Sequence, residues 1–474
     1  MSKPHGYYEH ARPEVLALVP ATARRVLDVG CGAGALGAAL KARQECEVCG
    51  VDIDPDAVTQ AMRTLNRAEC RDIETDTAWG EGFDCIICAD VMEHLRDPEA
   101  VLRQLRDCLT QDGTLVVSVP NARHWSVLEG LVNGDFSYTD AGLLDRDHLR
   151  MFTRRELQKL LWRAGFEQVS LTATLQGERP SERSLVQAGR FCFVAHDAQE
   201  AAEFHHYQYL AVGKKREARA HGTTSIIIPV CNQLPYTQQC LAGLAATTDP
   251  VQVEIIVVDN GSTDGTAAFL KEAQKQHWAR SQSQGVFMII TNSENLGFAK
   301  ACNQGLTDAV GSNLILLNND VILCEGWLDR LLDCLHSAPE VGLAGPVSNN
   351  VSGPQQVPVP YNTVAEVGGF GWDWGMAHAG ERVRLDRLVG FCLAIKREVV
   401  EKVGVLDERF GLGTYEDDDY CLRVRQAGYT NMVARDCFIH HFASVTFKGE
   451  GLDMAAMQKT NQRLFEAKHS MGGQ

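Results

Sequence analysis

The run Leu314-Ile315-Leu316-Leu317, ended by Asn318-Asn319-Asp320, constrains the fold of this chain more than any other stretch. Four consecutive apolar residues leave no polar face, so the strand they form must be covered on both sides, as strands of parallel sheets are. Open sheets of that kind bind ligands outside the carboxyl ends of their strands, where two amides and a carboxylate stand here. Carboxylate oxygen is also the ligand that a hard divalent cation takes. Three polar residues after a core strand serve a surface turn equally well, so the remaining sequence decides between the two.

At 474 residues the chain is too long for one core, and two domains are expected. A charged run without apolar periodicity, Lys214-Lys215-Arg216-Glu217-Ala218-Arg219-Ala220-His221-Gly222, reads as a linker over 214–222 between a domain at 1–213 and another at 223–474. The formal net charge of −16, from 61 acidic against 45 basic residues, weighs against nucleic acid as a partner and against an anionic membrane surface as the main one. The start has no signal-like apolar segment, and no apolar run is long enough to span a bilayer. Sixteen scattered cysteines form no framework, which suggests reduced thiols and a cytoplasmic setting. Cys46-x-x-Cys49 and Cys85-x-x-Cys88 have zinc-like spacing. On a strand, however, residues i and i+3 point to opposite faces, so these read as buried small hydrophobes.

In the first half, the strand Val26-Leu27-Asp28-Val29 runs into Gly30-Cys31-Gly32-Ala33-Gly34 and then a helical pattern. Glycines at such a turn let the backbone approach a ligand closely. A second strand ends in Asp52, placed to hold a ribose hydroxyl pair. Gly32-x-Gly34-x-x-Gly37 also fits a dinucleotide fingerprint. Further strand patterns follow at 83–90 and 113–119, and two β-rich runs at 169–175 and 207–212 suggest a closing antiparallel pair. With Leu27-Asp28-Val29-Gly30-Cys31-Gly32-Ala33-Gly34 and Val51-Asp52-Ile53-Asp54, this half resembles the class I S-adenosylmethionine-dependent methyltransferases and their Rossmann-like seven-stranded sheet. The resemblance implies that Asp28, Gly30, Gly32 and Gly34 lie against the methionine part of the cofactor, that Asp52 holds its ribose, and that Asp72 meets the adenine edge. Asp90-x-x-Glu93-His94 with the distant His148 looks like the metal-ligand set of O-methyltransferases acting on vicinal diols, although Asp90 stands where those families generally carry Glu. The same residues serve equally as a helix cap and lid contacts. Residues 124–138, aromatic and irregular, read as the lid over the acceptor.

In the second half, the strands at 225–230 and 254–259 and the Asn318-Asn319-Asp320 strand alternate with helical patterns. Their motifs are Ile227-Ile228-Pro229-Val230, Val258-Asp259-Asn260-Gly261-Ser262-Thr263-Asp264-Gly265, Asn295-Leu296-Gly297-Phe298, Leu317-Asn318-Asn319-Asp320, Gly390-Phe391-Cys392 and Tyr415-Glu416-Asp417-Asp418-Asp419. Together they resemble the inverting family 2 glycosyltransferases of the GT-A fold. The resemblance implies a nucleotide-sugar donor held by Pro229, Asp259, Asn295, Gly297 and Asn319, with Asp320 keeping the one carboxylate of an Asp-x-Asp metal motif. His440 or His441, with His441 preferred, would add a ligand to that Mg²⁺ or Mn²⁺ ion. Asp417 matches the general base, with Glu416 as the other choice. Asn461-Gln462-Arg463-Leu464-Phe465 looks like the family's terminal helix, and the missing Gln-x-x-Arg-Trp segment points away from a processive synthase.

The expectation is an α/β, two-domain, bifunctional enzyme. It would transfer a sugar to a glycan or lipid-linked saccharide and methylate a sugar hydroxyl, in the cytoplasm or peripherally at the inner face of the membrane. A protein or small-metabolite acceptor is the alternative, as is a methyltransferase-like half that serves only as a cofactor-binding or assembly module.

Overall fold

The computed structural model describes residues 11–76, 80–175, 185–188, 191–195, 197–216, 221–249, 253–281, 286–443 and 453–470. It divides into two compact units, Met1–Ala218 and Arg219–Gln474.

The first unit is built on β1 (Arg25–Val29), β2 (Glu47–Asp52), β3 (Arg67–Cys70), β4 (Phe83–Ala89), β5 (Leu109–Pro120), β6 (Phe166–Leu175) and, after a small hairpin of β7 (Leu185–Ala188) and β8 (Phe191–Val194), β9 (His206–Lys215). These form a seven-stranded sheet in the order β3-β2-β1-β4-β5-β9-β6. The first five are parallel, and β9 runs antiparallel to both β5 and β6. Both faces are covered: Leu27, Val29, Ile86 and Cys88 enter one core, Val26, Cys85 and Ile87 the other. Cys85 and Cys88 thus lie on opposite faces, as strand alternation requires.

Two expectations change. Residues 125–133 are a helix, Trp125–Asn133, with His124 as its cap; its aromatic and glycine content had masked an apolar helical face that includes buried Val127. Lys214 and Lys215 belong to β9 and not to a linker, because their long side chains reach back along the sheet. Lys214 Nζ donates to the Asp112 carbonyl at 2.9 Å and Lys215 Nζ to that of Leu109 at 3.3 Å. Residues 217–220 of the charged run lie outside the described residues.

The second unit contains β10 (Thr224–Val230), β11 (Val253–Asn260), β12 (Val286–Asn292), β13 (Asn313–Leu317), β14 (Val321–Leu323), β15 (Val341–Val347), β16 (Arg382–Leu385), β17 (Cys392–Lys396) and β18 (Thr430–His441). The order is β12-β11-β10-β13-β17-β15-β18-β14, with β16 paired to β18. β10 to β13 are mutually parallel, so their carboxyl ends share one edge. Every residue of β13 is buried, and Ile315 and Leu316 enter different cores, as the all-apolar run predicts. Burying each such side chain contributes about 1.5–3 kcal/mol. The α/β, two-domain class expected from the sequence is the one observed, with a seven-stranded sheet first and a nine-stranded sheet second. No helix among the described residues is long and apolar enough to cross a membrane.

Candidate active sites

In the first unit, the carboxyl ends of β1, β2 and β4 open onto a cleft of about 730 Å³ whose lining includes Asp28, Gly30, Gly32, Asp52, Asp72 and Asp90 together with Glu93, His94 and His148. The amides of Gly30 and Cys31 both donate to the Val51 carbonyl, at 2.8 and 3.0 Å, which folds the glycine turn over β2. Gly30 has φ 72°, and a Cβ there would sit 2.7 Å from Val91 Cγ2, so a side chain is excluded twice over. Asp52 accepts from the Gly32 amide at 2.8 Å and from the Asp54 amide at 3.0 Å. Its carboxylate therefore holds the turn as well as facing the cleft. Asp72 is exposed at the rim and accepts from the Glu74 amide at 3.0 Å. Gly34 is not in the lining. It begins the helix Ala35–Arg43, and a Cβ on it would lie 2.8 Å from Thr64 Oγ1, so its place is in helix packing.

Asp28 is 2% exposed, and its Oδ2 has no hydrogen-bond partner. Burial, and after it the nearby Asp52, pushes its pKa up to about 7. A buried carboxylate oxygen left unpaired at the wall of a cleft carries a desolvation cost that a proton or a ligand cation can relieve. Glu93 repeats the pattern. It is 1% exposed with Oε2 unpartnered, and burial, with Asp90 adding to it, raises its pKa well above the carboxylate range.

Glu93, His94 and His148 each offer a ligand atom within 4.8 Å of the others. His94 Nδ1 lies 3.1 Å from the Asp147 carbonyl and His148 Nδ1 3.2 Å from the Leu143 carbonyl. A carbonyl can only accept, so both Nδ1 atoms carry a proton, which leaves Nε2 as the nitrogen through which each ring could ligate, the arrangement metal-ligating histidines use. Asp90 departs from the expected set. Its backbone is left-handed, φ 56°, and its carboxylate is bound to the Arg12 guanidinium, to Ser118 Oγ at 2.6 Å and to Gln208 Nε2 at 3.0 Å. Three donors on other elements draw it away from the group. Ala141, Gly142 and Leu143 also line the cleft, with Leu143 beside His148, and none of residues 124–138 is in the lining.

In the second unit, Asp320 and His441 meet because β14 and β18 pair antiparallel with Val321 opposite His441. His441 Nε2 lies 3.2 Å from Asp320 Oδ1. Both residues are buried, and that Nε2 makes no aligned hydrogen bond. His441 Nδ1 faces the Asn350 carbonyl at 3.1 Å and carries a proton, which leaves Nε2, on the Asp320 side, as the nitrogen through which the ring could ligate. Of the two adjacent histidines only His441 faces Asp320; His440 shares a 2.7 Å hydrogen bond with the Tyr361 hydroxyl. The His441 ring stacks on Phe391, centroids 4.8 Å apart. The Phe391 carbonyl accepts from the Asn318 amide at 2.8 Å, and the preceding Gly390 amide donates to Asp417 Oδ2 at 2.9 Å. One short segment, Gly390-Phe391, thus joins the Asp320–His441 pair to Asp417.

Asp417 is half-buried and also accepts from the Asp418 amide at 2.9 Å. Glu416 is buried with Oε2 unpartnered. Its charge is felt at Cys302, inside the helix Phe298–Asp308, and burial, then Asp417, pushes its pKa up to about 8. The two acids therefore occupy different surroundings, Glu416 the interior and Asp417 the Gly390 turn.

At the carboxyl edge, Pro229 lies one residue before the end of β10, and Asp259 pairs with Val230 in register. Asp259 accepts from the Ser262 amide at 3.0 Å, and Asn319 Nδ2 donates to Thr237 Oγ1 at 2.9 Å. Asn295 accepts from Asn260 Nδ2 at 2.8 Å and from the Gly297 amide at 3.0 Å, so its amide shapes the turn. Gly297 has φ 91°, and a Cβ on it would come 2.2 Å from the Gly411 carbonyl oxygen; its bareness seats the segment leading to Glu416. Thr237, Asn350 and Arg12 take part in these sites without any motif to mark them, and Phe391, which stood in a motif, does so in a role the motif did not indicate.

A family profile described as Methyltransferase domain matches residues 5–171, and one described as Glycosyl transferase family 2 matches residues 225–403. The chain is 28% identical over 263 residues to an N-acetylglucosaminyl-diphospho-decaprenol L-rhamnosyltransferase of Mycobacterium tuberculosis, covering 50% of this chain and 81% of that protein. It is 31% identical over 155 residues to a ubiquinone biosynthesis O-methyltransferase of Psychrobacter arcticus, covering 30% of this chain and 59% of that one. A mannosyltransferase from Pyrobaculum calidifontis, solved with GDP-Man and Mn²⁺, superposes with a TM-score of 0.35 at 21% identity, over 46% of this chain and 56% of that one. With two ordered sites, each inside a matched segment or just beyond it, this chain joins an N-terminal methyltransferase domain to a C-terminal glycosyltransferase family 2 domain.

Proposed function

We propose that the chain is a bifunctional enzyme of surface-glycan assembly. The second domain would transfer a sugar, with inversion and one residue at a time, from a nucleotide-sugar to a lipid-linked saccharide. The first would methylate a sugar hydroxyl from S-adenosylmethionine. The observation that carries this reading is the Gly390-Phe391 bridge, which sets the half-buried Asp417 carboxylate beside the buried Asp320–His441 carboxylate–imidazole pair. The decaprenol-linked acceptor named for the mycobacterial relative supports the lipid-linked class.

In sugar transfer, Asp417 would take the proton of the acceptor hydroxyl as the new bond forms. The Gly390 and Asp418 amides fix its orientation. Asp320 and His441 would hold a divalent cation, Mn²⁺ or Mg²⁺, through the carboxylate and, once it has given up any proton, the imidazole Nε2; the nitrogen ligand suits Mn²⁺ better than Mg²⁺. When bound, such an ion neutralises the charge that develops on a departing diphosphate. Asp259, Pro229 and Asn319 would face the nucleotide from the sheet edge, where Asn295 and Gly297 shape the wall.

In methyl transfer, the buried Asp28 would bind the cofactor's ammonium group and Asp52 its ribose, with Asp72 at the adenine edge and Gly30 and Gly32 giving the backbone clearance. The cofactor supplies an electrophilic methyl on sulfur, so the chain's task is placement and acceptor activation. Glu93, His94 and His148 would take a divalent ion able to chelate a vicinal diol, and their donor atoms fit one without Asp90.

The test is nucleotide release from a panel of UDP-, GDP- and dTDP-sugars with Mn²⁺ or Mg²⁺, together with methyl incorporation from labelled S-adenosylmethionine into the glycan formed. Release unaffected by EDTA sinks the metal assignment. A protein that shows no thermal response to S-adenosylmethionine has a methyltransferase domain that serves only as a module.

A further inference from the structure

The last described helix, Met454–Ser470, touches the second site through its interior. Asn461 is 5% exposed. Its Nδ2 donates toward the carbonyls of Phe410 at 2.8 Å, Gly413 at 2.7 Å and Thr414 at 3.1 Å, and toward Thr414 Oγ1 at 3.1 Å. Two amide hydrogens are shared among four acceptors, all in the short segment directly before Glu416 and Asp417. That segment has an unfavourable course. Thr414 and Tyr415 have φ 74° and 70°, a left-handed conformation that residues bearing a Cβ avoid unless the surroundings enforce it.

The same helix also holds the chain beyond Asp417. Lys468 Nζ and His469 Nε2 reach Asp419, fully buried, at 2.6 and 2.8 Å, and Lys468 also pairs with Asp407 at 2.7 Å. From the other side, Gly297 presses on Gly411 with no room for a side chain. The segment before the proposed base is therefore fixed from two directions, and Asn461 is the group that satisfies its backbone.

We infer that Asn461 is a positioning residue for sugar transfer: its amide enforces the 410–415 course that delivers Asp417 to Gly390. This rests on the reading of Asp417 as the base. A misplacement of about 1 Å in such a group costs on the order of 10²-fold in rate, whereas an amide serving stability alone would leave the rate per folded molecule unchanged.

The experiment uses the full chain and the variants Asn461→Ala, Asn461→Asp (the same shape without amide hydrogens) and the exposed same-helix control Arg463→Ala. Hydrogen exchange without ligand is expected to speed up in Asn461→Ala by at least about tenfold across residues 411–419 and to stay unchanged in β10, β11 and β13. Nucleotide release should then lose on the order of 10²-fold in kcat for both Asn461 variants, with donor KM within about twofold of wild type. The control should match wild type in both measurements. Wild-type kcat in Asn461→Ala, or exchange that rises equally throughout the domain, overturns the inference. Asp417→Asn run in parallel separates the two failures. Should it keep turnover, the base assignment falls, while the exchange result still decides whether Asn461 orders the segment.

Discussion

Asp28 gives the sharpest quantitative test of the first site. Its pKa moves from an ordinary 3.8 to about 7, with burial as the main cause and Asp52 the lesser one. Roughly three units at about 1.4 kcal/mol each amount to a penalty on the order of 4 kcal/mol for holding the charged form without a partner. The folded-state value lies above the unfolded one, so the folded protein keeps a proton that the unfolded chain gives up between about pH 4 and pH 7. Stability therefore falls as pH rises through that window, and the full penalty is present above it. A ligand ammonium group inverts the preference. Below about pH 7 binding must first expel the proton, so affinity for S-adenosylmethionine should rise about tenfold per pH unit toward 7. It should level there and fall again above about pH 8, as the cofactor's own α-amino group loses its charge. Titration calorimetry of the full chain in two buffers of different ionisation enthalpy measures both the affinity and the proton released. Asp28→Asn should flatten the rise and hold affinity near its acid limit. Affinity that is level or falling from about pH 5.5 to pH 7, or an Asp28→Asn protein that binds as tightly as wild type, refutes the reasoning.

The second site predicts unequal roles for its two acids. Asp417→Asn should lower nucleotide release by about 10²–10⁴-fold with donor binding retained. Glu416→Gln should keep most of the turnover at pH 7, since Glu416 is buried and, with its pKa pushed up to about 8, mostly protonated there. Asp320→Ala should raise the Mn²⁺ concentration needed for half-maximal release by at least about tenfold, and a titration that overlays wild type removes Asp320 from the metal. In the first site, methyl transfer should be lost on chelation and return with Mg²⁺ or Mn²⁺, and His148→Ala should weaken that recovery; full transfer in excess EDTA reassigns Glu93, His94 and His148 to lid packing.

What the sequence made legible was local. Asp28, Gly30, Gly32 and Asp52 are read from strand–turn–helix patterns within a few residues of each strand end, and the cleft gathers all four. Asp320 follows from an apolar run that leaves it one place to stand. The errors arose where a side chain's partner lies far along the chain. Asp90 is taken by Arg12, Ser118 and Gln208, none within reach of a motif. Lys214 and Lys215 read as linker because charge without periodicity resembles solvent exposure, yet their stems lie along a sheet. Asn295 and Gly297 were recognised by pattern, but what they do, shaping a turn to seat Gly411, depends on a segment more than a hundred residues later. Asn461 stood inside a recognised terminal helix without any sign that its amide was the one turned inward.

The two proposed metal sites also explain why their acids differ. Each imidazole commits Nδ1 to a backbone carbonyl, which leaves Nε2 as its ligating nitrogen and needs no further side chain to orient the ring. Charge is where they part. A diphosphate leaving group brings its own negative oxygens to a cation, so one protein carboxylate beside it is enough. Asn318 and Asn319 can then serve structure, one through its backbone to Phe391 and the other through its amide to Thr237. A neutral sugar diol would bring no charge, so a cation in the first domain would have to find its counter-ion in the protein. With Asp90 held by Arg12, that falls to Glu93, whose buried Oε2 has no other partner. Glu93→Gln should therefore cost more metal affinity in the first domain than either histidine replaced by Ala. An equal loss across all three would show that ligand number, and not charge, governs the site.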